Sequence, residues 1–159
     1  KTELNEQSIL KGYQPYRRSF IQLPAGFHNN AIGDKGIYAS ARDLHIWFRD
    51  LKNGKILKPK NVDLMFGRDD DRKNKRYGMG FRLESKAGDP VIFHNGLWDG
   101  FRNGLVYYPN DDLVVIVMTH TQNKRKYYFQ KQVVRNAKSL IRTAEKKLKQ
   151  KESESELIL

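Results

Sequence analysis

Apolar and polar positions alternate along this chain with two different periods, and the change falls near Tyr77. Residues 1–30 show neither period and are punctuated by Gly12, Pro15, Pro24 and Gly26, so they are expected to be irregular. Ser40-Ala-Arg-Asp43 then has the form of a capping box with a short acid. Leu44, Trp47, Phe48 and Leu51 follow at i, i+3, i+4 and i+7, one face of a helix, and Asn53-Gly54 supplies its stop. Pro59 suits the first turn of a short second helix through Val62, Leu64 and Met65. Residues 67–76, GRDDDRKNKR, carry no apolar side chain and predict a surface loop open to proteases.

Beyond Tyr77 the segments YGMGFRLE, PVIFHN, FRNGLVYYP and DLVVIVMTH have strand length and character, with Gly, Asp, Asn and Pro between them. Their short connections imply an antiparallel meander. The continuous apolar run Leu113–Met118 predicts a strand covered on both faces. The chain closes on a long helix. Phe129, Val133, Ala137, Leu140, Ala144 and Leu148 form its expected sheet-facing stripe, and Lys131, Arg135, Lys138, Arg142 and Lys146 its wet one. KESESELIL reads as a frayed tail. Helices, then strands, then a helix make an α+β fold: an antiparallel meander with short N-terminal helices and a long C-terminal helix packed on the sheet. The expected divisions are 1–30 irregular, 31–150 the folded domain and 151–159 a flexible tail.

Composition adds limits. The chain has 159 residues, 38% hydrophobic and 30% charged, enough for one domain with a core. No stretch is apolar enough to span a membrane. With no cysteine, disulfides, thiolate catalysis and thiolate zinc sites are excluded. The net charge of +12 concentrates late: residues 122–150 hold ten Lys or Arg and one acid, Glu145. A solvated helix face is the expected reading, with nucleic acid not expected as a partner. The four histidines have no metal-ligand spacing, and Asp69-Asp-Asp71 is flanked by bases, so no metal and no cofactor is expected.

Three segments in order carry a resemblance: GDKGIYASARDLHIW (33–47), YGMGF (77–81), and His94-Asn-Gly96 followed by Gly100-Phe101. Together they resemble the β-lactamase-type serine hydrolases, which include class C β-lactamases, penicillin-binding DD-peptidases and related esterases. The resemblance covers about residues 31–121 and implies the C-terminal portion of that fold. It implies acyl-serine hydrolysis of a β-lactam, a D-amino-acid peptide or an ester, in the bacterial envelope. That chemistry needs a Ser-x-x-Lys nucleophile, a Tyr-x-Asn element, and Lys-Thr-Gly or His-x-Gly on a strand. Carried over, His94 becomes the polar group of the pocket and Gly96 the clearance residue. The Leu97 N–H becomes an oxyanion donor, Asn95 fills the variable position and Trp98 a wall.

Two patterns imitate the other motifs. Ser8-Ile-Leu-Lys11 fits Ser-x-x-Lys, but Gly12 and Pro15 end any helix there. Tyr108-Pro-Asn110 fits Tyr-x-Asn, but it follows the third motif and has turn chemistry. The chain is therefore expected to carry half a pocket without its nucleophile, to need the N-terminal half of the same fold as partner, and to be inactive alone. A homodimer through an exposed sheet edge is a further expectation. The alternative function is a non-catalytic basic module for a polyanion.

Overall fold

A computed structural model describes residues 10–24, 36–67, 76–86 and 88–156. Its elements are β1 (Tyr13–Tyr16), β2 (Ser19–Gln22), α1 (Ala41–Lys52), α2 (Pro59–Met65), β3 (Arg82–Lys86), β4 (Asp89–Trp98), β5 (Phe101–Tyr108), β6 (Leu113–Val117) and α3 (Arg125–Glu156). Strands β3-β4-β5-β6 form one antiparallel sheet in chain order, the expected meander, and β1-β2 form a separate hairpin. The fold is α+β, with three layers.

α1 starts where the capping box requires. The Asp43 N–H donates to Ser40 Oγ at 3.1 Å, and the Ser40 N–H donates to the Asp43 carboxylate at 3.0 Å. Gly54, at φ 72°, ends it. Pro59 occupies the first turn of α2. Phe48 and Leu51 are fully buried, and Trp47 stays partly exposed at the margin of the face. Phe48 packs with Phe66, Phe81 and Tyr107 at centroid distances of 5.2–6.0 Å. With Val62, Ile92 and Leu105 these rings form the core between the sheet and α1–α2.

The opposite face of the sheet carries a smaller core of Val91, Val106 and Val115 against Val134 of α3. β6 therefore serves both cores: Val114 and Ile116 face the first, Leu113 and Val117 the second. That is the two-sided cover its continuous apolar run predicted.

Four local expectations are corrected. YGMGF is a turn rather than a strand. Gly78 N–H donates to Phe81 O, Gly80 has φ 86°, and β3 begins only at Arg82. The segment 1–30 contains the hairpin β1-β2, whose base is fixed to β6's exit: Tyr13 N–H donates to His120 O, and Gln122 N–H donates to Tyr13 O. α3 runs to Glu156, so 151–156 are helical rather than a flexible tail.

The fourth correction is the face of α3. Lys126, Gln130 and Val134 are buried, whereas Phe129, Leu140 and Leu148 are 59%, 72% and 60% exposed. Polar anchors turn the helix away from its apolar stripe. Lys126 Nζ donates to Asn95 Oδ1 at 3.1 Å. Lys138 Nζ meets Asp111 at 2.6 Å and Asp89 at 3.2 Å, and lies 4.2 Å from the centre of the Tyr108 ring. Residues 142–153 are all exposed.

Candidate functional site

The segment FHNGLWDGFRNG, residues 93–104, is a β-hairpin. Asp99 and Gly100 form its two-residue turn, with φ of 37° and 88°. Asp-Gly suits that turn because both positions need positive φ and this twist matches the strands. β4 pairs with β5 from Ile92↔Tyr107 to Trp98↔Phe101, so His94 stands inside the strand, opposite Leu105, rather than at its end. Gly12 closes the far side of the turn. A Cβ there would stand 1.9 Å from Asp99 O, so only glycine lets the two backbones meet.

Side chains alternate along β4. Ile92 belongs to the α1–α2 core, so His94, Gly96 and Trp98 share its face. Asn95 and Leu97 take the α3 face, and the Asn95 carboxamide accepts from Lys126 there. The five expected site residues therefore divide. His94, Gly96 and Trp98 share one face; Asn95 is held by the opposite layer; the Leu97 side chain turns to that layer too, leaving only its backbone at the β4 edge.

That backbone has a definite direction. Arg102 N–H donates to Thr119 O, on the β6 side. Arg102 pairs with Leu97, so this pair is not hydrogen-bonded to each other, and the Leu97 N–H and C=O point away from β5. β3 pairs with β4 only from Lys86↔Asp89 to Arg82↔Phe93. Among the described residues the β4 edge at Leu97 is thus unpaired beyond the end of β3. The Leu97 N–H points away from β5, past the last pair that β3 makes with β4.

His94 is exposed, and its Nε2 lies 2.9 Å from the Tyr77 hydroxyl, with the rings edge-on at 6.2 Å. When the phenol donates, Nε2 accepts and the ring proton sits on Nδ1. Arg82 stacks on the other partner, 5.7 Å from the centre of the Tyr77 ring. Sequence reasoning placed Tyr77 only in a strand and missed this contact. The signal was there in the tyrosine that opens YGMGF, but the turn that folds it back over β4 was not. Among the described residues a Cβ on Gly96 would meet just Asn103 Cβ, at 3.9 Å, which leaves the surface over Gly96 clear of them. Trp98 and Leu97 beside it are 40% and 52% exposed.

The two imitating patterns are placed differently. Ser8 lies outside the described residues, and Leu10–Gly12, Lys11 among them, belong to no helix and lead into β1. Tyr108 ends β5, and Pro109–Asp111 form a 3-10 turn at the opposite end of the sheet from Asp99–Gly100, where Asn110 donates to Asp89 at 3.1 Å. Asp69–Asp71 and His28 lie outside the described residues. Among the described residues no group of His, Asp or Glu could hold a metal ion, and no helix is long and apolar enough to cross a membrane.

The family model described as Beta-lactamase matches residues 6–137. No curated protein matches the chain.

Proposed function

This chain belongs to the β-lactamase family, and we propose that it forms the third-motif wall of an acyl-serine hydrolase pocket. The observation that carries the reading is, among the described residues, the unpaired β4 edge at Leu97, beside an exposed His94 and an unobstructed Gly96. A substrate carbonyl lying along β4 would direct its oxygen at the Leu97 N–H as negative charge develops. The His94 imidazole, steadied by Tyr77, would bond the substrate carboxylate or pass a proton. Gly96 would let the substrate backbone approach, and Trp98 would cover its apolar part. Asn95 would act indirectly, by tying β4 to α3 through Lys126.

The serine, its base and the Tyr-x-Asn element would come from a complementary part of the fold. A β-lactam, a D-amino-acid peptide or a small ester fits this pocket chemistry, and the bacterial envelope is the matching compartment. Alone, the 159-residue chain is proposed to be inactive. Incubation with a β-lactam or an activated ester, followed by intact-mass spectrometry, should leave it unmodified. A covalent adduct on any of its serines would overturn that. Chemical-shift mapping with a β-lactam should move the Leu97 amide and the His94 and Trp98 ring signals. Shifts confined to other surfaces would overturn the pocket itself.

A second reading has its own observation. Arg135, Lys138, Arg142 and Lys146 line one shallow groove on α3 with Ser139 and Thr143. A polyanion could follow that groove. Retention on heparin that persists until high salt would favour this module, because each neutralised phosphate or sulfate adds to the salt dependence.

A further inference from the structure

Among the described residues three polar side chains are buried: Arg102 at 9% exposure, Lys126 at 5% and Gln130 at 8%. All lie between the sheet and the first turns of α3. Arg102 and Lys126 both stack on the Tyr127 ring, with the guanidinium carbon 5.3 Å and Nζ 4.5 Å from its centre. Gly104 makes the space. A Cβ there would stand 2.2 Å from Lys126 Nζ, 2.7 Å from Asn95 Oδ1 and 3.1 Å from Gln130 Oε1. These groups therefore converge over one backbone position.

The charges do not balance. Among the described residues neither Arg102 nor Lys126 meets a carboxylate, and the buried Arg102 Nε has no hydrogen-bond partner. A buried guanidinium stays charged and normally has each N–H satisfied. The first turn of α3 contains no acid either, and a helix N-terminus adds positive potential of its own. Lys124 and Arg125 add two further cations to that end. Burial, with Arg102 nearby, lowers the Lys126 pKa to about 8. Two buried cations side by side with no carboxylate among the described residues favour a negative charge between them.

We propose that Arg102, Lys126 and Gln130 bind one small free oxyanion of the phosphate type. The guanidinium can offer Nε–H together with a terminal N–H and the ammonium a point charge; the Gln130 carboxamide, whose Oε1 faces Gly104, becomes a neutral donor when its amide turns over. The burial of both cations restricts the ligand to a small ion and excludes a polymer. The site lies on the α3 face, opposite His94, and does not rest on the hydrolase reading.

The test is a titration of the 159-residue chain with inorganic phosphate at pH 7, against chloride at matched ionic strength. The Arg102 Nε–H and Gly104 amide resonances should move saturably with phosphate alone, and the melting temperature should rise. Arg102→Met and Lys126→Met should abolish both effects, while Arg142→Gln with Lys146→Gln should leave them intact. Linear shifts, an equal response to chloride, or a folded Met variant that still saturates would overturn the site. If the Met variants do not fold, the wild-type titration decides by itself.

Discussion

A methyl group added at position 78 would stand 1.9 Å from the Met65 carbonyl oxygen. Backbone cannot step aside as a flexible side chain can, so Gly78→Ala should destabilise the chain by about 1–3 kcal/mol, read from denaturant midpoints. Lys126 gives a pH-dependent signature. Its native pKa, about 8, is below the ordinary 10.5, so between those values the unfolded chain holds a proton that the folded chain has released. Stability should therefore rise as pH increases from about 8 toward 10.5, until other groups intervene. Added phosphate should flatten that rise by restoring the Lys126 proton. Urea midpoints across this range, for wild type and Lys126→Met, check the sign, and a wild-type decline matched by the variant would contradict it. At the pocket, Tyr77→Phe removes the hydroxyl beside His94. The ring should then lose its tautomer preference, visible in imidazole nitrogen shifts, with little change in stability because the contact is exposed.

The elements were legible where one local rule decided them. Ser40 and Asp43 cap α1 by side-chain chemistry that needs no tertiary partner, and Pro59 and Gly54 act through φ alone. The apolar run in β6 implied two covering layers because no face of it is polar. Where long-range contacts decided, the periodicity misled. The apolar stripe of α3 faces largely outward because Lys126 and Lys138 find Asn95, Asp89 and Asp111 on the sheet. Asn95 lies 31 positions from Lys126, and Asp89 and Asp111 lie 49 and 27 from Lys138, beyond the reach of a helical window along the sequence. YGMGF misled in the same way, since the close approach of Gly78 to Met65 is invisible locally. The motif pointed to His94, Gly96 and Leu97 as candidates, whereas the Tyr77 contact and the route of Asn95 into the opposite layer required the fold. Lys138 has a distinct pH sign. Burial alone would lower its pKa, but Asp111 and Asp89 outweigh that and raise it. Its stabilising tie should thus hold through neutral pH and weaken only as pH climbs past the lysine range. On the acid side, Lys138 and Asn110 hold the Asp89 carboxyl below its usual value, so that part of the tie fails only in strong acid. Lys138→Met should lower the melting temperature at pH 7 and narrow the difference from wild type at low pH. Cutting the chain before Thr143 should change stability by no more than about 0.5 kcal/mol while reducing the helical circular dichroism, because residues 143–153 are all exposed.

For the molecule as a whole, the sheet ends in two unequal edges. β3 presents Arg82, Glu84 and Lys86, charges that discourage pairing. β6 is LVVIV and has no strand beyond it among the described residues, apart from the single bridge from Tyr13 to Thr121 past its end. We propose that this edge accepts either the complementary part of the fold or a second copy. Gel filtration at micromolar concentration should then show a concentration-dependent dimer that Val115→Lys and Val117→Lys suppress. A monomer at every concentration would exclude the self-pairing form. The net charge of +12 opposes close association of two copies, so the dimer should strengthen with salt, whereas capture by a polyanion should weaken. α3 has a mechanical meaning besides. After Ile141 it continues as helix for fifteen residues to Glu156, exposed through Ser153, roughly 22 Å at 1.5 Å per residue. A stiff boom of that reach sets a standoff: whatever grips its far end is held at a fixed bearing to the sheet, and a two-residue insertion after Ile141 would swing that bearing by about 200° without altering the β4 edge at Leu97.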